Sequence, residues 1–472
     1  MRVQTLEEFN LVSSSYAQSL GDSFRKKNGV FFTDVKLAKL IVDYLKIDRT
    51  KTVLDPCCGT GSFLYAILKS GHSVNCLYGA DVDKHTALCC EAIIDFKPVI
   101  IDTLFNLSEA TINKLQLNDK VDYVIGNPPY RSVKKHEIIA KADIATNANV
   151  FLRKDFGDNL FCFALWRSFD LVKADGIVSY IIPKNFLHVK KYSFLRKYIL
   201  NHKSIMSIID LGACFQDVRG EQILLTFKNC YTDANRFEVL KYIDGSFQHC
   251  CFVEQSLCTD EILLFKNEID QQLYVKLEKF TKLSDLSFSF LGRGNSKDKN
   301  AISGKDIRKF GFKDFSVPVH GDRIFIQNIY STESGIIATF AGSELQARQT
   351  VTILINDDED VNRYIVGLLH SRFCNFYLLR FCYNNAKLTL HTDTTYLSKI
   401  PLVTGNQYLF NKVVSIVKAI EDTDYLSKEW FDLVEELNKF IYDIYDIKFS
   451  EREYIDEEIK VIQSKKWVRS NV

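Results

Sequence analysis

At 472 residues, the chain is longer than one hydrophobic core usually serves, so two or three domains are expected. Hydrophobic residues at 46% and charged residues at 25% exclude wholesale disorder. A formal net charge of +1 excludes a globally basic nucleic-acid binder but leaves room for a local basic surface.

Charge is polarised along the chain: Gly292 to Lys313 holds seven Lys/Arg against two Asp, and Glu421 to Lys460 fourteen acidic residues against five basic ones. The cysteine count is odd at 13, with adjacent pairs at Cys57-Cys58, Cys89-Cys90 and Cys250-Cys251 and no Cys-x-x-Cys. Free thiols fit this better than a disulfide framework. The N-terminus, with Glu7 and Glu8, lacks a basic-then-apolar leader pattern, and no apolar run approaches the ~18 residues of a membrane span. A cytoplasmic protein without membrane segments is expected.

In the first half, short apolar runs alternate with helical patterns, as in a doubly wound sheet. Expected strands are Thr52 to Leu54, Cys76 to Ala80, Pro98 to Ile101, Val121 to Ile125, Ile177 to Ile182, Ser204 to Asp210 and Gln222 to Phe227. Helical spacing runs through Leu37, Leu40, Ile41, Tyr44 and Leu45, and through Phe161, Leu165, Phe169 and Val172. Arg131 to Asp158 breaks the alternation and reads as a lid or an insertion. After Phe227 the pattern is irregular and β-rich to about Leu354, followed by helical runs at Tyr364 to Leu379, Asn411 to Ile420 and Trp430 to Ile444. Domains are expected over residues 1–245, 246–405 and 406–472, the last a helical segment.

Chemistry concentrates at strand ends. The segment from Val53 through Asp55, Pro56, Cys57, Cys58, Gly59, Thr60 and Gly61 to Phe63 joins a strand to a helix through a glycine-containing turn. Its backbone can come close to a ligand, and the helix that follows presents unpaired amides. It is not the dinucleotide fingerprint, since Leu64 stands at the third glycine position. The next strand ends in Asp81-Val82-Asp83, where a carboxylate can hold a ribose diol, and the third ends at Asp102, suited to an adenine amino group. Taken singly, either acid reads more readily as a helix cap or solvated turn. Asn127-Pro128-Pro129-Tyr130 follows directly on the apolar strand from Val121. Two prolines make a stiff turn that cannot extend a sheet and can aim a carbonyl and an amide side chain at one point.

Together these residues resemble the gamma-class adenine-specific DNA methyltransferases of restriction-modification systems, the TaqI-like group. Arg25 to Thr33 is similar to the segment that precedes the glycine turn in that class, with Asp34 where relatives often carry proline. Asp158 to Phe161, Ile181 to Leu187 and Asp210 to Phe215 are similar to its later catalytic segments. Ala301 to Lys309 and Tyr396 to Leu402 are similar to pieces of its target-recognition domain.

The resemblance implies a class I, Rossmann-like α/β methyltransferase domain followed by a mixed α/β target-recognition domain. It implies S-adenosylmethionine as cofactor, held by Thr33, Asp55, Pro56, Gly59, Gly61, Asp81, Asp102 and Asn127. It implies a catalytic turn of Asn127, Pro128, Pro129 and Tyr130, with Phe215 either packing on the target base or serving as plain core. Arg293, Lys297, Lys305, Arg308 and Lys309 would contact DNA phosphates. Double-stranded DNA is the implied partner of a monomer, beside a separate cognate restriction endonuclease.

The amino group of adenine is a poor nucleophile because its lone pair is delocalised into the ring. In the implied mechanism the Asn127 side-chain oxygen and the Pro128 carbonyl accept the two amine hydrogens, with the base rotated out of the duplex. A protein glutamine methyltransferase shares Asn-Pro-Pro-Tyr but lacks the long C-terminal half. A DNA-cleaving fusion is not expected, since no Pro-Asp pair occurs and Glu458-Ile459-Lys460 reads as a surface turn. A silent DNA-binding subunit would have no need of Asp55, Asp81 and Asn127.

Overall fold

The computed structural model describes residues 3–29, 31–105, 109–117, 119–141, 148–215, 220–288, 290–313, 321–385, 390–403 and 405–469. The chain divides into two compact units, Met1–Lys266 and Asn267–Val472.

In the first unit, helices α1 (Leu6–Leu20), α2 (Asp22–Asn28) and α3 (Val35–Leu45) precede an alternation of strand and helix. It runs β1 (Val53–Asp55), α4 (Ser62–Lys69), β2 (Leu77–Asp81), α5 (Lys84–Ile94), β3 (Val99–Ile100) and β4 (Val121–Gly126). Next come α6 (Leu160–Leu171), β5 (Val172–Pro183), α7 (Ser193–His202), β6 (Ser204–Gly212), β7 (Gln222–Lys228), β8 (Arg236–Ile243) and β9 (Ser246–Glu254).

The nine strands form one sheet in the order β3-β2-β1-β4-β5-β7-β6-β8-β9. Strands β3, β2, β1, β4 and β5 pair in parallel, whereas β7 pairs antiparallel with both β5 and β6. The chain winds outward from β1 through β2 to β3, then returns to place β4 on the other side of β1. This reversal opens a crevice at the carboxyl ends of β1 and β4, where doubly wound sheets bind ligands. The strand cores are sealed: Val53, Leu54, Val124 and Val178 are fully buried, as expected for strands covered on both faces.

All seven expected strands form, each within two residues at its carboxyl end. At its amino end β5 begins five residues before the expected start. Val172, expected on the helical face with Phe169, is instead the first residue of β5, and the helix stops at Leu171. The hairpin of β8 and β9 was not expected. It extends the first sheet past the 245 boundary, whose Gly245 lies in the hairpin turn with φ +81°. Residues 246–266 therefore belong with the first unit. Within Arg131 to Asp158, short helices occupy Lys135–Lys141 and Ala148–Phe151, and 142–147 lie outside the described residues.

The second unit carries a four-stranded antiparallel sheet of β10 (Phe290–Arg293), β11 (Arg323–Gln327), β12 (Ala338–Ala341) and β13 (Val351–Ile355), in the order β10-β13-β11-β12. Its helices include α8 (Glu268–Leu277), α9 (Glu359–His370), α10 (Arg372–Tyr377), α11 (Gln407–Glu421), α12 (Lys428–Ile444) and α13 (Phe449–Arg469). The helical run expected from Tyr364 to Leu379 is broken at Ser371, whose hydroxyl accepts from the Cys374 amide at 3.1 Å and starts α10. Glu458 and Ile459, read as a surface turn, lie in α13, with Ile459 buried and Glu458 paired to Arg380 at 2.6 Å. No described helix is long and apolar enough to cross a membrane.

Candidate active site

A cleft of about 300 Å³ opens at the carboxyl edge of the first sheet, the lower end of the range that small-molecule sites occupy. Among its lining residues are Pro56, Gly59, Asp81, Asp102, Asn127 and Pro129, so six of the expected site residues meet around one space.

The turn after β1 is held from below. The Gly59 amide donates to Asp81 Oδ2 at 2.9 Å, and the Asp83 amide to Asp81 Oδ1 at 2.9 Å. Gly61 begins α4 with φ +90°. A Cβ there would lie 2.7 Å from Cys90 Sγ and 2.9 Å from Ile94, so only glycine lets α4 pack against α5. Asp83 caps α5 by accepting from the Thr86 amide at 2.7 Å. Both carboxylates at the tip of β2 line the cleft: Asp83 is also the helix cap, and Asp81 has both oxygens oriented by backbone amides. Asp102 accepts from the Leu104 and Phe105 amides at 3.1 and 3.2 Å, a local turn that sets its carboxylate at the cleft edge.

Asp55 stands behind the cleft, almost wholly buried, and accepts from the Cys57 amide at 3.1 Å. Burial pushes its carboxyl up to about 8, with the Asp81 charge adding to the shift. Burial also raises Asp81, opposed by the amides of Asp83 and Gly59. A carboxyl raised from 3.8 to about 8 on folding contributes stability that is full below about pH 4 and lost as pH rises through about 8. The stability advantage of Asp55→Asn over wild type is therefore expected to grow between pH 5 and pH 8 in urea unfolding. A pH-independent gap would rule out a neutral Asp55.

The Asn127 amide is gripped from both sides. Its Nδ2 donates to the Phe31 carbonyl at 3.1 Å and to Thr33 Oγ1 at 3.1 Å. Its Oδ1 accepts from the Tyr130 hydroxyl at 2.6 Å, a hydroxyl also 2.9 Å from the Ile181 carbonyl. Burial raises the Tyr130 phenol well above its ordinary value, so it remains a donor. The Asn127–Tyr130 turn is pinned to the end of α2: the Tyr130 amide donates to the Gly29 carbonyl at 3.0 Å. Gly29 has φ +68°, and a Cβ would fall 2.6 Å from the Tyr130 carbonyl carbon, a contact only glycine allows.

Other expected site residues lie outside the lining. Thr33 is buried, with its hydroxyl turned to Asn127 and its carbonyl accepting from Ser62 Oγ at 2.7 Å. Asp34, in the place of the relatives' proline, caps α3 through the Lys36 amide at 2.7 Å; Val30 lies outside the described residues. Pro128 is buried. Phe215 is 9% exposed and packs in the same apolar cluster as Tyr130, so its ring presents no open face here.

The cleft also uses residues the sequence did not single out. Leu20 at the end of α1 and Phe24 in α2 line it together with Val82 and Phe105. The N-terminal helices are tied down by Phe9 stacked on Tyr65 at 5.0 Å and by Ser13 Oγ within 2.7 Å of Thr60 Oγ1. Phe24, 45% exposed in an otherwise polar helix, was the available signal.

In the second unit, Lys297 and Lys305 are exposed, and Arg293 is half-exposed and 3.8 Å from Asp393. Arg308 is engaged by the Phe312 carbonyl at 2.8 Å and lies 4.1 Å over the Tyr425 ring. Lys309 is half-buried, and burial lowers it to about 8.

Residues 75–215, from just before β2 through the Asn127–Tyr130 turn to Phe215, match the model of the Eco57I restriction-modification methylase family. The chain resembles the restriction-modification methylases. Type II methyltransferase M.VspI of Vibrio sp. (strain 343) is 29% identical over 47% of this chain and 53% of its own length. Type II methyltransferase M.AccI of Acinetobacter calcoaceticus is 28% identical over 42% of this chain and 36% of its own. Adenine-specific methyltransferase BrxX of Escherichia coli O9:H4 (strain HS) is 21% identical over 85% of this chain and 36% of its own. The chain thus spans about half or less of the length of these methylases. In fold, it matches the type IIL restriction-modification enzyme MmeI, solved with DNA, at TM-score 0.56 and 13% identity over 97% of this chain and 77% of that one. The DrdV–DNA complex matches at TM-score 0.53 and 11% identity, over 89% and 60%. At 97% and 89% of this chain, both fold matches extend into the second unit.

Proposed function

We propose that this protein transfers a methyl group from S-adenosylmethionine to the exocyclic 6-amino group of adenine in DNA, at specific sequences, within a restriction-modification or host-defence system. The observation that carries this is the Asn127 amide, locked at the rim of the cleft that contains Asp81 and Asp102. Asn-Pro-Pro-Tyr on a methylase fold and the adenine-specific name of one relative support adenine over cytosine.

The cleft suits the cofactor by its donor set. Asp81, with its oxygens oriented by amides, would accept from the ribose diol, and Asp102 from the adenine amine. Leu20, Phe24, Val82 and Phe105 would flank the ring. When bound, S-adenosylmethionine supplies an electrophilic methyl group on a sulfonium. Asn127 Oδ1 and the Pro128 carbonyl would then accept the amine hydrogens of the target, drawing its nitrogen toward tetrahedral geometry. Charge developing on that nitrogen is stabilised by dipoles already in place. Unstacking the base costs a few kcal/mol, and an aromatic face, here that of Tyr130, would return roughly 1 to 3 kcal/mol.

The second unit would read the DNA sequence, with Arg293, Lys297 and Lys305 as its most accessible phosphate contacts. Arg308 and Lys309 would contribute less, the first being already engaged and the second half-buried. A separate endonuclease would complete the system, and the methylase would act as a monomer in the cytoplasm.

Expression in methylation-free cells followed by mapping of modified bases tests the substrate, the base and the site together. N6-methyladenine at one recurring sequence is expected; a DNA free of it would refute the proposal. Asp81→Ala is expected to weaken S-adenosylmethionine by about 1.5 to 3 kcal/mol, the range of a hydrogen bond to a charged group. DNA affinity should stay unchanged. Calorimetry showing equal cofactor affinity in the variant would remove Asp81 from the site.

A further inference from the structure

We propose that Thr33 is a positioning residue for Asn127, holding its amide by a hydrogen bond in the orientation that the Phe31 carbonyl selects, apart from any part it takes in enclosing the cofactor. This rests on the adenine-methylation reading above.

The terminal torsion of an asparagine is broad and roughly two-fold. Rotated by half a turn, Asn127 would present its NH2 group, a donor, to a target amine that is itself a donor. Catalysis by an amide oxygen therefore requires surroundings that distinguish Oδ1 from Nδ2. The Phe31 carbonyl can only accept, and it lies 3.1 Å from Nδ2. Thr33 Oγ1, also at 3.1 Å, takes the second hydrogen of the same nitrogen; a hydroxyl can serve either end of an amide, so the carbonyl sets the sense and Thr33 holds the side chain in it. On the other side the Tyr130 hydroxyl occupies one lone pair of Oδ1, which leaves the other for a target.

Thr33 is built to hold still. It is buried, its carbonyl is held by Ser62 at 2.7 Å, and Asp34 beside it caps α3. It does not line the cleft. Its hydroxyl thus fixes the nitrogen side of Asn127 from an element anchored independently of the catalytic turn, 94 residues away in the chain.

The test uses the full chain with Thr33→Val, which keeps the branched shape and removes the hydroxyl, and Thr33→Ser, which restores it. At saturating DNA and cofactor, single-turnover transfer by Thr33→Val is expected to fall about tenfold, the range of one hydrogen bond. Cofactor affinity by calorimetry should stay within about twofold, and Thr33→Ser should recover the rate. A Thr33→Val that loses cofactor affinity but keeps the saturated rate would make Thr33 a wall residue only. Equal impairment in Thr33→Ser would assign the effect to the methyl group. Side-chain amide resonances of Asn127 in ¹⁵N-asparagine-labelled protein read the bond without any reaction. Slow hydrogen exchange is expected in wild type and Thr33→Ser, and fast exchange in Thr33→Val; unchanged exchange in Thr33→Val overturns the proposal. Should wild type leave adenine unmethylated, the functional reading fails while these resonances still decide the role of Thr33.

Discussion

Asn127→Ala is expected to slow methyl transfer by about 10²- to 10³-fold, the loss that accompanies removal of one preorganised dipole at a reacting centre. The amide oxygen is held before any target arrives, by the Tyr130 hydroxyl on one side and by two acceptors on the nitrogen side. Its interaction with the amine strengthens as positive charge develops, so the loss should appear in the chemical step and much less in the affinity for DNA or cofactor. The fold should survive, because Asn127 is only half-buried and the turn keeps both prolines and the Tyr130-to-Gly29 backbone bond. Single-turnover transfer at saturating DNA and cofactor isolates that step from product release. A variant within about threefold of wild type would reduce Asn127 to a turn residue and withdraw amine activation.

Arg380→Ala is expected to destabilise the second unit by about 3 to 5 kcal/mol, because it strands a buried carboxylate. Arg380 is 4% and Asp270 0% exposed, with Nε and Oδ2 3.1 Å apart. The other arms of the guanidinium reach Glu458 and Asn385, each at 2.6 Å. Asp270 also accepts from the Tyr454 hydroxyl at 2.8 Å, and its amide donates to Asn267 at 3.0 Å. This network joins α8, the turn after α10 and α13. Removing both charges together, as Arg380→Met with Asp270→Asn, should cost clearly less than Arg380→Ala alone, since the fully buried Asp270 charge is gone and only Glu458, 16% exposed, loses its bond to Arg380. Urea unfolding of the full-length variants measures both. A loss under about 1 kcal/mol for Arg380→Ala would mean that water reaches Asp270.

This network also shows where a linear view of the chain falls short. Glu458-Ile459-Lys460 looked like a surface turn because its charges are local facts, while the partner that consumes Glu458 stands 78 residues earlier. Strand β5 likewise begins at Val172 because its pairing with β4 starts at Val121. The spacing that joined Val172 to Phe169 carried no information about that neighbour. The β8–β9 hairpin escaped notice since β9 lies at the sheet edge and buries only part of its residues, which weakens the apolar run that marked the inner strands.

Local chemistry alone determined much of the site. A doubly wound sheet follows from apolar runs separated by helical spacing, and its ligands bind at the carboxyl ends of the strands near the reversal of order. Glycine turn, strand-end acids and the stiff Asn-Pro-Pro-Tyr turn could therefore be placed at one edge from their order in the chain. What tertiary structure decided is which of those groups faces the cleft. Asp81 and Asp83 both do, Asp83 capping α5 as well; Asp55 is sealed behind, Phe215 is packed in the core, and Thr33 turns to Asn127. Only folding brings Leu20 and Phe24 to the cleft. The physical reason is that periodicity and turn chemistry act over a few residues, whereas burial and hydrogen-bond partners are set by neighbours as far as 194 residues away.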